Sequence, residues 1–372
     1  MADSKSTVEY LLSLADVNIN GKRPFDIQVH DERFYDRVLG QRELGLGEAY
    51  MDGWWDVKRL DQLIERLQAS DIKQKMHVSL PMIRTAAAAT LRNRQTVKRA
   101  RRNASYHYNI GNDLYERMLD KRMIYSCAYW NGAPNLDKAQ AAKLDLICRK
   151  LYLKKGMTLL DIGCGWGAFA EYAAKKYGVK VTGITPAAEQ VKIAKKRTKG
   201  LPITILQKDY RHMTGKFDRI VSIGMLEHVG PKNYDRFFAK CNKMLKDGGL
   251  MLHHTIGSIR SVNSVGPWMD KYIFPGAVLP SLQQLAMAAG DNRLIIEDVH
   301  NFGPDYDKTL MAWHANFVKR YPEISDKYDE RFYRMWNFYL LACAGSFRAR
   351  NMQLWQIVMR KLETSPVYVS MR

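Results

Sequence analysis

Residues 159–167 read LLDIGCGWG, an apolar run that ends in an acid and opens into alternate glycines. Gly163, Gly165 and Gly167 allow a sharp turn and bring backbone N–H groups close to a ligand at a helix amino terminus. The dinucleotide fingerprint is GxGxxG, whereas the spacing here is GxGxG with Asp161 just ahead. A pyrophosphate needs several N–H groups and no nearby carboxylate. Asp161 would repel it and suits a cationic ligand that bears an amino acid, which is the chemistry of S-adenosylmethionine. Ribose sites of this type usually carry an acid at the end of the second strand. Here that strand ends GITPAAEQ, with Thr185 at its tip and Gln190 placed to substitute an amide. Asp209, in LQKDYRHM, follows the third strand, where contacts to the adenine amine are expected. Each of these polar residues also has a plainer reading as a helix cap or turn residue.

The acceptor side is less explicit. Enzymes that methylate base nitrogens often carry a proline-rich DPPY-like stretch after the fourth strand, but this chain has SIGMLEHVGPKNY at 222–234 and HH at 253–254. Ligands in open α/β sheets lie at the carboxyl ends of the strands. Two adjacent strand ends would therefore bring Glu227 and His254 towards one pocket.

The elements that must hold these residues follow from periodicity. Strands are expected at 157–162, 179–185, 203–207, 217–223 and 249–256, with helices between them, including one from about 231. A strand at 293–299, two aromatic helices at 307–321 and 325–347, and a last strand at 355–359 complete the pattern. The fold class implied is α/β: a Rossmann-like, mostly parallel methyltransferase sheet wrapped on both faces, with a small, mostly helical amino-terminal domain. Residues 1–80 hold few candidate strands. The expected division is 1–104 as a docking domain with a basic linker and 105–372 as the catalytic domain.

The chain has 372 residues, 46% of them hydrophobic, enough for one large domain and a smaller one. A net charge of +20 and a pI near 9.6 favour anionic partners such as nucleic acid, an acidic membrane surface or small anions. The amino terminus lacks the pattern of a secretory signal, and no apolar run approaches bilayer length. Five scattered cysteines without CxxC spacing fit a reduced cytoplasm and indicate neither a disulfide framework nor a metal site. The segment 84–102 crowds Arg92, Arg94, Lys98, Arg99, Arg101 and Arg102 together, either as a solvated helix face or as a membrane contact.

Several stretches together carry a family resemblance: LGLGEAYMDGWW, HYNIGNDLYERMLD, YSCAYW, LLDIGCGWG, GMLEHVGPKNY, HHTIGS, WMDKYIFPG, HNFGPDYDKTLMAW and LLACAGSFRAR. They span nearly the whole chain, which resembles the bacterial cyclopropane-fatty-acyl-phospholipid synthases. The resemblance implies a homodimeric enzyme on the inner face of the membrane, with unsaturated phospholipid as substrate and nucleic acid not expected as a partner. It would transfer the methyl of S-adenosylmethionine, as a methylene, to a cis double bond, with bound bicarbonate accepting the proton lost. Carried over by motif, Cys127, Glu227, His254, the Ile256 backbone and Tyr306 would surround the bicarbonate. Tyr125, Ser126, Gly163, Gly165, Thr185, Gln190, Asp209 and Tyr210 would hold the cofactor, and Cys343 would belong to the active site.

The chemistry is compatible with these residue types. A carbocation needs a dry, aromatic pocket, for which Tyr125, Tyr129, Trp130, Tyr272, Phe274, Tyr306 and Trp313 are available. Cys343 lies at helical spacing from Trp336, Tyr339 and Phe347, the pattern of an apolar face. The reaction requires no covalent intermediate, so packing beside the acyl chain is the simpler role for its thiol.

Overall fold

The computed structural model describes residues 3–70, 72, 111–362 and 366–372. The basic stretch at 84–102 and the expected domain boundary fall outside the described residues.

Four helices dominate the amino-terminal part: α1 (Ser4–Ser13), α2 (Arg33–Gln41), α3 (Glu43–Met51) and α4 (Leu60–Ala69). Two short strands, β1 (Gln28–Val29) and β2 (Trp55–Asp56), pair antiparallel among them. The chain is described again from α5 (Asn112–Met118) and α6 (Leu136–Lys150). Then comes the alternating series β3 (Thr158–Ile162), α7 (Ala168–Tyr177), β4 (Lys180–Thr185), α8 (Ala188–Arg197), β5 (Ile203–Gln207), β6 (Phe217–Ile223), α9 (Tyr234–Met244) and β7 (Leu245–Ser258). Helices α10 (Pro267–Tyr272) and α11 (Leu282–Asp291) precede β8 (Leu294–Asn301). Helices α12 (Pro304–Arg320) and α13 (Glu330–Arg348) lead to β9 (Met352–Lys361).

The seven-stranded sheet has the order β5-β4-β3-β6-β7-β9-β8. Strands β3 to β7 run parallel, and β9 enters antiparallel to both β7 and β8. Their apolar side chains are buried on both faces, which is why these strands read as continuous hydrophobic runs.

Some boundaries differ from the expected ones for local reasons. α12 begins at Pro304, because proline fits a first turn whose N–H has no helical partner. α13 begins only at Glu330, where Asp329 caps the helix by accepting from Phe332 N at 2.7 Å. β7 extends to Ser258, because β9 pairs with it as far as Met352.

One core cluster joins the amino-terminal helices to α12 and α13. It holds Phe34, Trp55 and Leu63 together with Trp313, Trp336 and Phe347. Arg348 ties the same elements together through Asp61 (2.8 Å) and Glu65 (3.3 Å) on α4 and Asp307 (2.8 Å) on α12.

Candidate active site

The glycine loop leaves the carboxyl end of β3. Gly163, Gly165 and Gly167 have φ of +86°, +53° and +82°, left-handed values that side chains rarely adopt. The loop is anchored by Gly163 N and Cys164 N, which both donate to Ile184 O on β4 (2.9 and 3.0 Å). A Cβ on Gly163 would press on Met225 and one on Gly167 on Ala194, each at 3.1 Å. At Gly165 the nearest atom is Gln190 Nε2, at 3.9 Å. Thr185 Oγ1 donates to Gln190 Oε1 at 2.7 Å, which turns the amide nitrogen towards the loop. Gln190, expected to replace a ribose acid, is thus held in place by Thr185 beside Gly165.

Asp161 is buried, and its Oδ2 has no hydrogen-bond partner among the described residues. Burial pushes its carboxyl up to about 7, against the opposing pull of Lys143. A glycine cradle beside an orphaned acid fits S-adenosylmethionine, whose ammonium would meet Asp161. Asp209, at the end of β5, accepts from Arg211 N at 2.9 Å, and Tyr210 packs edge-on to Phe237 at 5.1 Å.

Tyr125 and Ser126 approach from the segment before α6. The Tyr125 and Tyr339 hydroxyls lie 2.7 Å apart, and Tyr125 also packs on Trp313 (5.3 Å) and Phe274 (6.5 Å). Thr309 pins the chain beyond: its Oγ1 accepts from Ala128 N (3.1 Å) and Trp130 Nε1 (3.0 Å). Trp130 is thereby turned to α12. Tyr272, expected as pocket lining, instead donates to Glu48 Oε1 at 2.7 Å and packs at a tilt against Trp268, at the contact with α3. The carboxylate of Glu48 claims its hydroxyl.

The second group of expected residues gathers at the ends of β6 and β7. His254 is in register with Ile223, and strand alternation puts it on the same face as Ile256. His253 points the other way, to Ser222 Oγ (2.8 Å), Phe237 and Phe238, and is a core residue. Ile256 N donates to Glu227 Oε1 at 2.6 Å, so the Ile256 N–H is already engaged by the carboxyl group. Glu227 Oε2 has no partner among the described residues, and burial raises the acid to about 7 although its backbone hydrogen bonds oppose this. Burial, reinforced by Lys143 and Lys150, holds His254 well below the usual imidazole range, so it is neutral. Gln356 Nε2 lies 3.4 Å from His254 Nδ1. An amide N–H can only donate, so Nδ1 accepts and the unpartnered Nε2 carries the ring hydrogen.

Tyr306 stacks on Phe347 at 4.4 Å and lies within electrostatic reach of Cys127, Glu227 and Cys343. The Cys127 thiol donates to Ala128 O at 3.2 Å, and burial raises its pKa well above the usual thiol value. Cys343 is half-buried on α13, and burial pushes its thiol up to about 12. Neither thiol is ionised near neutral pH, which disfavours a nucleophilic role for both.

Two participants escaped the sequence reading. Gln356 is a lone amide in the apolar run LWQIVM, and Lys143 sits on the buried side of α6. A polar residue at an apolar position of its element was the signal in each case.

A sheet of this order, with an acid and a glycine loop after its first strand, defines a S-adenosylmethionine-dependent methyltransferase. Residues 95–357 match the family model described as Mycolic acid cyclopropane synthetase. The cyclopropane-fatty-acyl-phospholipid synthase of Escherichia coli strain K12 is 52% identical over 348 residues, 94% of this chain and 91% of that protein. Among solved structures, the cyclopropane synthase MmaA2 from Mycobacterium tuberculosis aligns with a TM-score of 0.66 at 30% identity, covering 70% of this chain and 98% of its own. The mycolic acid cyclopropane synthase CmaA1 complexed with SAH and CTAB gives a TM-score of 0.66 at 33% identity, with the same coverage. The chain belongs to the cyclopropane synthase family and is an enzyme of its cyclopropane-fatty-acyl-phospholipid synthase group.

Proposed function

We propose that this enzyme builds cyclopropane rings on unsaturated phospholipid acyl chains, with bicarbonate held between Glu227, His254 and Tyr306. The observation that carries the anion site is the pair of buried, unpartnered polar atoms, Glu227 Oε2 and His254 Nε2. S-adenosylmethionine, when bound, supplies an electrophilic methyl group on a sulfonium. The π electrons of the alkene form one C–C bond to that methyl as its S–C bond breaks. The same carbon would then give up a proton to the bound bicarbonate, yielding carbonic acid, and the freed C–H electron pair would close the second C–C bond.

The residues divide this work. Tyr125 packs on Phe274 and Trp313, and the three would form an aromatic wall that shields a cation on the acyl chain from water. His254 Nε2–H and the Tyr306 hydroxyl are donors for a small oxyanion. Glu227, titrating at about 7, can accept the hydroxyl hydrogen of bicarbonate. Cys127 would close this pocket as a protonated thiol, and Cys343 would pack beside the acyl chain.

For the membrane, charge is the argument. No described helix is long and apolar enough to cross a bilayer; the reading places the enzyme at the surface, on the cytoplasmic side. Each basic residue near an anionic bilayer contributes about 1 kcal/mol, and six of them lie between Arg92 and Arg102. Residues 1–104 would form the docking part of a homodimer, and 105–372 the catalytic part.

The test is incubation with methyl-labelled S-adenosylmethionine and vesicles of unsaturated phospholipid, with and without bicarbonate, followed by mass spectrometry of the acyl chains. The expected product gains one CH₂ per double bond and depends on bicarbonate. Label confined to head groups or to added nucleic acid would overturn the reading.

A further inference from the structure

Helix α6 turns three long polar side chains into the interior; Lys150 pairs with Asp298 at 3.1 Å, and the reaction outlined above uses neither of the other two. Lys143 and Gln140, three residues apart, are both fully buried, and both grip the segment that carries Tyr125 and Ser126. Gln140 Nε2 donates to Ser126 O at 2.9 Å, and Lys143 Nζ donates to Ser126 Oγ at 2.7 Å. A buried ammonium is costly unless a charge meets it, yet this hydrogen bond is to a neutral hydroxyl. The titratable groups that face Lys143 come from four elements: Asp120 after α5, Cys127 before α6, Asp161 on β3 and His254 on β7. Cys127 and His254 are neutral, and Asp161 is an orphaned acid beside the glycine loop. Because Nζ–H donates into Oγ, Ser126 must give its own hydrogen to a different acceptor.

We propose that Lys143 is a positioning residue for the cofactor: it fixes Ser126 as a donor to the cofactor's carboxylate and supplies the positive charge which that carboxylate meets. Asp161 then faces the ammonium of the same amino-acid group, so that one zwitterion is matched by another. This deepens the reading above and rests on it, since Ser126 must touch the cofactor. The ammonium is lowered by burial to about 8, so its charge is lost just above neutral pH.

The probe is S-adenosylhomocysteine, titrated calorimetrically into the full chain. Lys143→Met is expected to weaken its binding about tenfold and to raise the KM for S-adenosylmethionine by a similar factor, with kcat falling less than threefold. Ser126→Ala should weaken binding to the same degree, and the double variant no further than the worse single one, because the two act as a unit. From pH 7 to 8.5 the unmodified chain should lose affinity, and Lys143→Met should not. Unchanged affinity in Lys143→Met, or additive losses in the double variant, would overturn the proposal. Should Lys143→Met not fold, an affinity of the unmodified chain that stays flat from pH 7 to 8.5 overturns it instead. If Ser126→Ala binds normally, the assignment of Ser126 to the cofactor site is what fails.

Discussion

Asp161 holds its proton because burial has removed the water that would stabilise its charge, and it stands where a cationic ligand would restore that stabilisation. Binding an ammonium favours the carboxylate, so it lowers a pKa that begins at about 7. Affinity for S-adenosylhomocysteine should therefore rise as pH increases from 6 to 7, with proton release on binding. Calorimetry in two buffers of different ionisation enthalpy would show that release, and Asp161→Asn should abolish it. His254 presents Nε2–H to the pocket as long as Gln356 donates to Nδ1. His254→Ala is expected to lower kcat/KM by about 10²-fold, the usual scale for one lost oxyanion donor, as measured by methyl transfer to lipid. The acid and glycines of the loop were legible in the sequence because their spacing is local. Gln356 and Lys143 were not, since their meaning lies in partners on other elements.

Among elements, the crossing of α4 and α13 is unusually tight. A Cβ on Gly345 would come within 2.3 Å of Asp61 O. Three residues on, Arg348 ion-pairs with Asp61, whose carboxyl, despite the opposing effect of burial, is held at about 2 by Arg59 and Arg348. Gly345→Ala should destabilise the chain by about 2 kcal/mol through overpacking. Arg348→Met should cost about 3 kcal/mol by leaving a buried charge half-paired. Both are measurable as shifts in urea midpoint at unchanged slope. The stretch LLACAGSFRAR drew notice in the sequence for its cysteine, yet its glycine and first arginine, Gly345 and Arg348, dock the amino-terminal helices. Arg348 and Asp61 are 287 residues apart, a separation that no local pattern reports. The alternating strands and helices of the sheet were legible for the opposite reason, because each announces itself within a dozen residues.

For the whole molecule, buried acids and buried imidazoles set opposing slopes of stability with pH. Glu227 has a folded pKa raised to about 7, so its contribution is present at low pH and is lost as pH rises through 7. His253, lowered by burial to about 3, and His254 do the reverse: their contribution is lost as pH falls below about 6.5. Glu227→Gln removes only the first effect. It should therefore lose about 2 kcal/mol relative to the unmodified chain between pH 7 and pH 5, visible as a steeper fall in melting temperature. The thiols have a different consequence for the molecule as a whole. Four of the five cysteines are buried and the fifth half-buried, and burial raises the pKa of every one. Against so quiet a background, one cysteine introduced at exposed Ile259, Met287 or Val367 would be the fast-reacting thiol of the chain. A spin probe or fluorophore could be attached there without stripping the native residues. Its accessibility to lipid-soluble and water-soluble quenchers, read site by site with vesicles present, would then report whether any side of the enzyme enters a bilayer and how deep it reaches.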